Sequence, residues 1–288
     1  LRETNIDKIT LHWSKHPLKD QAWYEFEKGR RTEEDVAQEL DISYTKSQEG
    51  RVYMEWSEQN VTRGTHPYDP NLTLYVGWDF GRSDDTAIIW VQIDPRTGRM
   101  RVIDTYKNNN KLIDFYVPFV TGIMPSDGYK YTKKDIEKIE SHRGWHTGTH
   151  FGDPAGRFRN QVSNETVVSV LKDHGIHVNF NDSWKEFEKR KTAAKLLMRK
   201  GIDLNDIEEV KYFDMCMAQA AYPKVKQSGV EFVNSKGEPK HNWTSHYRSA
   251  FEYLALGLAE VQQRFNRVVD RFPKKERETG MRRRVIGY

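Results

Sequence analysis

The stretch Leu74-Tyr-Val-Gly-Trp-Asp-Phe-Gly-Arg-Ser-Asp-Asp-Thr-Ala-Ile-Ile-Trp-Val91 constrains this chain more than any other. An apolar run ends on a carboxylate at Asp79. A glycine-bracketed turn with two more acids, Asp84 and Asp85, follows, and a second apolar run starts at Thr86. β-Branched and aromatic residues bounded by Gly and Asp predict the two strands of a hairpin. Asp94-Pro-Arg-Thr-Gly98 is the next turn signal, and Arg99 to Tyr106 alternates into a third strand. An acid facing inward from the first strand of such a meander costs stability unless something positive neutralises it. Two readings follow: Asp79 holds a divalent metal, or it is a strand-end aspartate in a solvated turn.

At 288 residues the chain is long enough for a real core and one or two domains. Its apolar runs are a handful of residues, far short of a membrane span, and no secretion signal opens it. The single cysteine, Cys216, excludes an internal disulfide framework and a Cys-rich zinc site. Flanked by Met215 and Met217, it reads as a small core residue, and an intracellular, reducing setting fits. The net charge of +4 is unevenly spread: Arg264 to Arg284 holds nine Lys/Arg against three Asp/Glu. A basic tail on a near-neutral body suggests a polyanionic partner, or a tail that is merely solvated.

The chain starts at Leu in mid-pattern and reads as a piece of something longer. Thr32-Glu-Glu-Asp35 predicts a helix start, Tyr44 to Trp56 a polar stretch, and Arg63 to Pro70 a linker with a boundary near residue 65. After the meander, Lys111 to Gly122 is a candidate helix and 124–148 a surface excursion. Thr149 to Gly152 reads as a strand, Ser163 to Gly175 as a helix and Ile176 to Phe180 as a strand. Helices follow from Ser183 to Lys200, Ile207 to Tyr222 and about Ser245 to Phe265, with a hairpin over 228–240. Strands first, then alternating strand and helix, predict a mixed α/β sheet with helices on both faces.

Asp153 follows the fourth strand directly, as Asp79 ends the first. Neighbouring strand ends share one sheet edge, where sites form. Pro154 fixes the chain after Asp153, and Gly156 leaves access open. Two facing carboxylates repel, and Mg²⁺ or Mn²⁺ relieves this. Such a pair supports two-metal phosphodiester hydrolysis. Lys191, Lys195 and Arg199 share one face of their helix, either tracking a DNA backbone or forming a solvated charged face. Arg157 and Arg159 are better placed to meet phosphate near the metals. His142, His146 and His150 have four-residue spacing, but Gly144 and Gly148 break the helix that would align them, so they read as surface loop residues.

The order Gly77-Trp-Asp-Phe-Gly-Arg-Ser-Asp-Asp-Thr86, Phe151-Gly-Asp-Pro-Ala-Gly156 and Ser245-His246 … Tyr253-Leu-Ala-Leu256 resembles the C-terminal nuclease domain of the large terminase subunit of tailed bacteriophages. His12-Trp13, Pro17, Trp23-Tyr24, Ala37-Gln-Glu-Leu-Asp41 and Glu49-Gly-Arg-Val-Tyr53 look like the end of that family's ATPase half. The resemblance implies an RNase H-like mixed sheet, preceded by a short mostly helical segment. It divides the chain into 1–65 (ATPase remnant and linker), 66–266 (nuclease) and 267–288 (basic tail). It implies a metal-dependent endonuclease that cuts double-stranded viral DNA during packaging. Two Mg²⁺ or Mn²⁺ ions are expected, with Asp79 the central ligand, Asp153 the second and Asp85 supporting. Implied partners are DNA, the small terminase subunit and the portal protein, in the host cell cytoplasm, with no membrane.

One departure matters. The family pattern Ser-His-x-x-Asp-Ala supplies a third carboxylate, whereas this chain reads Ser245-His246-Tyr247-Arg248-Ser249-Ala250. A hydroxyl replaces a charged ligand poorly. Either Glu252, three residues on, or His246 completes the site, or the second metal position is weak. Glu252 as a solvated helix residue is the other reading. A catalytically weak module that binds DNA or docks onto a partner is therefore the alternative function. No Gly-x-x-x-x-Gly-Lys-Ser/Thr occurs, so no ATP site is assigned to this stretch; ATP hydrolysis is expected only upstream.

Overall fold

A computed structural model describes residues 13–30, 50–81, 84–125, 128–157, 165–227, 230–233 and 237–270. The alternating run from Leu74 forms the expected meander: β2 (Leu74–Asp79), β3 (Thr86–Ile93) and β4 (Met100–Asn108), each antiparallel to the next. β5 (Thr147–Gly152) pairs parallel with β2, and β6 (Val178–Asn179) pairs parallel with β5. On the other side, β7 (Ile202–Asn205) runs parallel to β4, and β1 (Val61–Gly64) parallel to β7. The sheet order is β1-β7-β4-β3-β2-β5-β6. β3 alone runs against the other six, so the carboxyl ends of β2, β4 and β5 and the start of β3 share one edge. A small separate hairpin, β8 (Lys224–Gln227) and β9 (Val230–Val233), follows later in the chain.

Both sheet faces are covered, which is why β3 is apolar along its length rather than alternating with polar residues. Ala87, Ile89 and Val91 belong to one core. Ile88 and Trp90 belong to the other, as the period of two requires. The first core is closed by α5 (Phe187–Lys200), α6 (Glu208–Gln219) and α7 (Ser245–Asp270). The second is closed by α2 (Val117–Thr121), α3 (Lys133–Ser141) and α4 (Val167–Asp173). Ahead of the sheet lies α1 (Gln21–Arg30), where Asp20 Oδ1 accepts the Trp23 N–H at 2.8 Å and Trp13 stacks on Tyr24. The helix start expected at Thr32 and the basic tail beyond 270 lie outside the described residues.

Four expectations need correction. Arg63 and Gly64, the start of the expected linker, belong to the sheet strand Val61–Gly64. Beyond them, Gln92 pins the chain by donating to Asp69 O (2.7 Å) and Leu72 O (3.0 Å). Within the stretch read as polar, Val52, Tyr53 and Trp56 are buried core residues. The supposed surface excursion contains α3, whose Thr132–Asp135 capping box starts a helix that buries Ile139. Finally, His142 and His150 are not loop histidines. His142 is fully buried with its ring nitrogens 2.6 Å from Phe119 O and 2.8 Å from Asp104 Oδ2, while His150 accepts the Trp78 Nε1–H at 3.1 Å. Burial takes the His150 imidazole down to about 4, so it stays neutral at physiological pH.

Candidate metal centre

Trp78 pairs with Gly152 across the parallel strands β2 and β5. One residue further on, Asp79 and Asp153 therefore stand at equivalent positions on strands that run about 4.8 Å apart. The Asp79 carboxyl is held above the ordinary carboxylate range, chiefly by burial. The Asp153 charge adds to the shift and His246 opposes it. An acid whose ionisation is resisted both by burial and by a neighbouring carboxylate marks a place short of positive charge. The hard oxygen donors of the pair fit Mg²⁺ or Mn²⁺.

Local structure explains why each acid is presented there. Pro154 opens a 3-10 turn, Pro154–Arg157, and Asp153 Oδ1 accepts the Ala155 N–H at 2.8 Å. Phe80 folds over the strand ends so closely that a Cβ on Gly152 or Gly156 would sit 2.9 or 2.7 Å from its ring. On the opposite side, α7 lies directly on the sheet. A Cβ on Gly77 would be 2.7 Å from Ala250 O, and one on Gly257 only 2.1 Å from the Phe151 ring. These glycines let the helix approach until its first turn reaches the end of β2.

That first turn delivers His246, which is buried. Its Nδ1 lies 2.9 Å from Asp79 Oδ2, and its Nε2 lies 2.9 Å from Asp84 Oδ1. Burial works against the imidazolium, yet the Asp79 hydrogen bond and the charges of Asp79, Asp84 and Asp85 raise its pKa overall. Asp84 reaches His241 as well, with Oδ2 2.9 Å from Nε2. Asp85 points elsewhere, into a 2.6 Å ion pair with Lys107 at the end of β4. The β2–β3 turn is thus tied to a neighbouring strand and to α7. Ser249, partly exposed, sits one helical turn beyond His246 and one before Tyr253. Tyr253 Oη accepts from Arg190 Nη1 at 3.2 Å. Its phenol is held well above the usual range, mainly by burial, with Asp153 and Asp79 contributing despite Arg190.

Neither reading of Glu252 holds. It is fully buried, and its carboxylate accepts hydrogen bonds from Tyr53 Oη (2.6 Å), Arg190 Nε (3.1 Å) and Arg248 Nη1 (3.1 Å). Its single charge is shared between two guanidinium groups and is not offered to an ion. The basic face of α5 is also occupied. Lys191 meets Glu188 (2.6 Å) and Tyr222 Oη (3.2 Å), while Lys195 and Arg199 converge on Glu55 at 3.5 and 3.2 Å. Arg157 pairs with Asp182 and lies 4.5 Å over the Phe180 ring. Arg159 lies outside the described residues. Sequence reasoning missed His241, Tyr253 and Lys107 and passed over Asp84. The one local signal was His241 and His246 flanking the start of a helix, across the fold from paired acids.

The meander β4-β3-β2 continued by parallel β5 and β6, with acids at the ends of β2 and β5 and helices on both faces, defines an RNase H-like α/β fold. Solved structures similar to it include the large terminase of a thermophilic bacteriophage, at 15% identity and TM-score 0.49, over 87% of this chain and 55% of that one. The P22 large terminase nuclease domain is 11% identical with TM-score 0.47, over 74% of this chain and 93% of that one. The nuclease domain of the bacteriophage SPP1 large terminase with bound Mn is 16% identical with TM-score 0.43, over 68% and 95%. The chain spans about half the length of the thermophilic-phage terminase. No family model matches the sequence, and no curated protein does.

Proposed function

We propose that this chain is a divalent-metal-dependent endonuclease that cleaves double-stranded viral DNA during genome packaging, as the nuclease part of a terminase large subunit. The observation that carries this reading is the strand register that sets Asp79 beside Asp153 at one sheet edge, with Asp79 largely shielded from solvent and facing a second negative charge. Asp79 and Asp153 would hold Mg²⁺ or Mn²⁺, two ions in all. Such ions supply an activated water and stabilise the leaving oxygen of the phosphodiester. The chain's own residues do the positioning. His246 orients Asp79 through Nδ1, the Pro154 turn fixes Asp153, and the Lys107–Asp85 pair holds the β2–β3 turn in place. Arg157, beside Asp153 and half exposed, is the cation nearest in sequence to receive a phosphate. Working partners under this reading are DNA, the small terminase subunit and the portal protein, in the host cytoplasm.

The test is nicking of supercoiled plasmid in Mg²⁺ or Mn²⁺. Wild type should cut, and Asp79→Asn and Asp153→Asn should not. Equal residual cleavage by all three proteins would sink the assignment. A second reading, a catalytically weak module that binds DNA or docks onto the motor, is favoured by one observation. Ser249 stands where the resemblance implies a third carboxylate, and Glu252 is committed to Arg190 and Arg248. DNA binding without any metal-dependent cleavage would select it.

A further inference from the structure

We propose that Asp84, His241 and His246 form a second metal site, built for a borderline transition-metal ion such as Zn²⁺ and chemically distinct from the Asp79–Asp153 pair. One ligand atom from each of the three lies within 4.8 Å of the other two. Asp84 bridges the imidazoles through its two oxygens, Oδ2 lying 2.9 Å from His241 Nε2 and Oδ1 2.9 Å from His246 Nε2. The rings are nearly perpendicular, at 77° with centroids 5.5 Å apart. They converge edge-on toward the carboxylate instead of stacking. Zinc–nitrogen and zinc–oxygen bonds of about 2.0–2.2 Å place tetrahedral ligand atoms roughly 3.3 Å apart. The two nitrogen–oxygen contacts need only open by a few tenths of an ångström, while the two imidazole nitrogens, within 4.8 Å of one another, close onto the ion. His241 and Asp84 have the freedom to do so, since their side chains are 73% and 53% exposed.

The third ligand is already held as a metal-bound histidine usually is. His246 Nδ1 faces Asp79 Oδ2, a carboxylate partner that would keep the ring proton on Nδ1 and leave Nε2, now against Asp84 Oδ1, to the ion. Two imidazole nitrogens and one carboxylate suit zinc, cobalt or copper, whereas Mg²⁺ takes oxygen donors. The exposed side leaves a coordination position for water. The donors come from two places in the chain, the β2–β3 turn and the approach to α7. An ion there would clamp the turn to the helix and lock His246 onto Asp79, thereby coupling the nitrogen site to the oxygen pair.

Cobalt alone, added to the metal-stripped full chain without DNA, is the probe. One equivalent should give the visible absorption of four- or five-coordinate Co²⁺ and persist in excess Mg²⁺. His241→Ala and Asp84→Asn should each weaken binding at least about tenfold. Asp153→Asn should leave the spectrum intact, and His241→Cys should keep it with an added thiolate-to-cobalt band. An unchanged spectrum in His241→Ala, its loss in Asp153→Asn, or only the faint bands of six-coordinate cobalt would each overturn the proposal. Because no DNA is present, these results are independent of whether the chain cleaves.

Discussion

His246 Nδ1 lies 2.9 Å from Asp79 Oδ2, joining the first turn of α7 to the end of β2. The contact partly offsets the burial of an acid that also faces Asp153. It also places an ionisable imidazole within reach of Asp79, Asp84 and Asp85. The stability of this corner therefore depends on pH.

Both shifted groups give the same sign. The His246 pKa is raised in the folded protein, so its stabilisation is complete below its unfolded value of about 6.5 and is lost as pH rises through the folded value. The Asp79 carboxyl is also raised, so the folded state holds that proton longer and again loses stability as pH climbs through its window at lower pH. The urea midpoint of the metal-free protein should fall as pH rises above the unfolded imidazole value of about 6.5, and His246→Gln should flatten that fall. A midpoint that rises with pH in wild type and not in the variant would contradict this.

Asp79→Asn removes the like-charge conflict with Asp153 while keeping an oxygen for His246. Without metal the variant should melt at a higher temperature than wild type near neutral pH. Mg²⁺ at about a hundredfold its Kd should stabilise wild type by about 2.7 kcal/mol and the variant hardly at all. Calorimetric melts with and without Mg²⁺ read both effects.

Glu252→Ala leaves Arg190 and Arg248 buried without their counter-charge, at a cost of about 3–5 kcal/mol in urea unfolding. The folded fraction should bind as many ions as wild type. A Glu252 variant of normal stability that has lost an ion would make this carboxylate a ligand after all.

Gly77→Ala and Gly257→Ala test the approach of α7. Each added methyl overlaps a neighbour, the Ala250 backbone oxygen or the Phe151 ring, and should cost about 1–3 kcal/mol or more. The backbone oxygen has no rotamer to escape into, so Gly77→Ala should also displace His246 and weaken Mg²⁺ binding, measured by titration calorimetry.

Lys195→Ala and Arg199→Ala should change the salt dependence of DNA binding little, because both are drawn to Glu55 and neither adjoins Asp79 or Asp153 in the chain. Arg157→Ala should lower the log–log salt slope by about 0.9, the value of one phosphate contact. Fluorescence anisotropy over a salt series decides between them.

The hairpin from Leu74, the turn at Asp94–Gly98, the third strand and the acids at 79 and 153 were legible because alternation and Gly/Asp turn chemistry act over a few residues. The apolar face of α7 and the core role of Cys216 were legible for the same reason. β1 and β7 were not: four residues each, they become strands only by pairing with one another across the length of the chain, and β7 with β4. Glu252 looked available because two of its three partners are remote, Tyr53 lying 199 residues away and Arg190 lying 62, although Arg248 stands four residues before it. His241 meets Asp84 across 157. The sequence by itself determined which segments could be strands and which acids could stand at their ends. Only the tertiary structure decided which charges are already neutralised, because a side chain's partner is chosen by packing between distant segments and leaves no mark on the residues beside it.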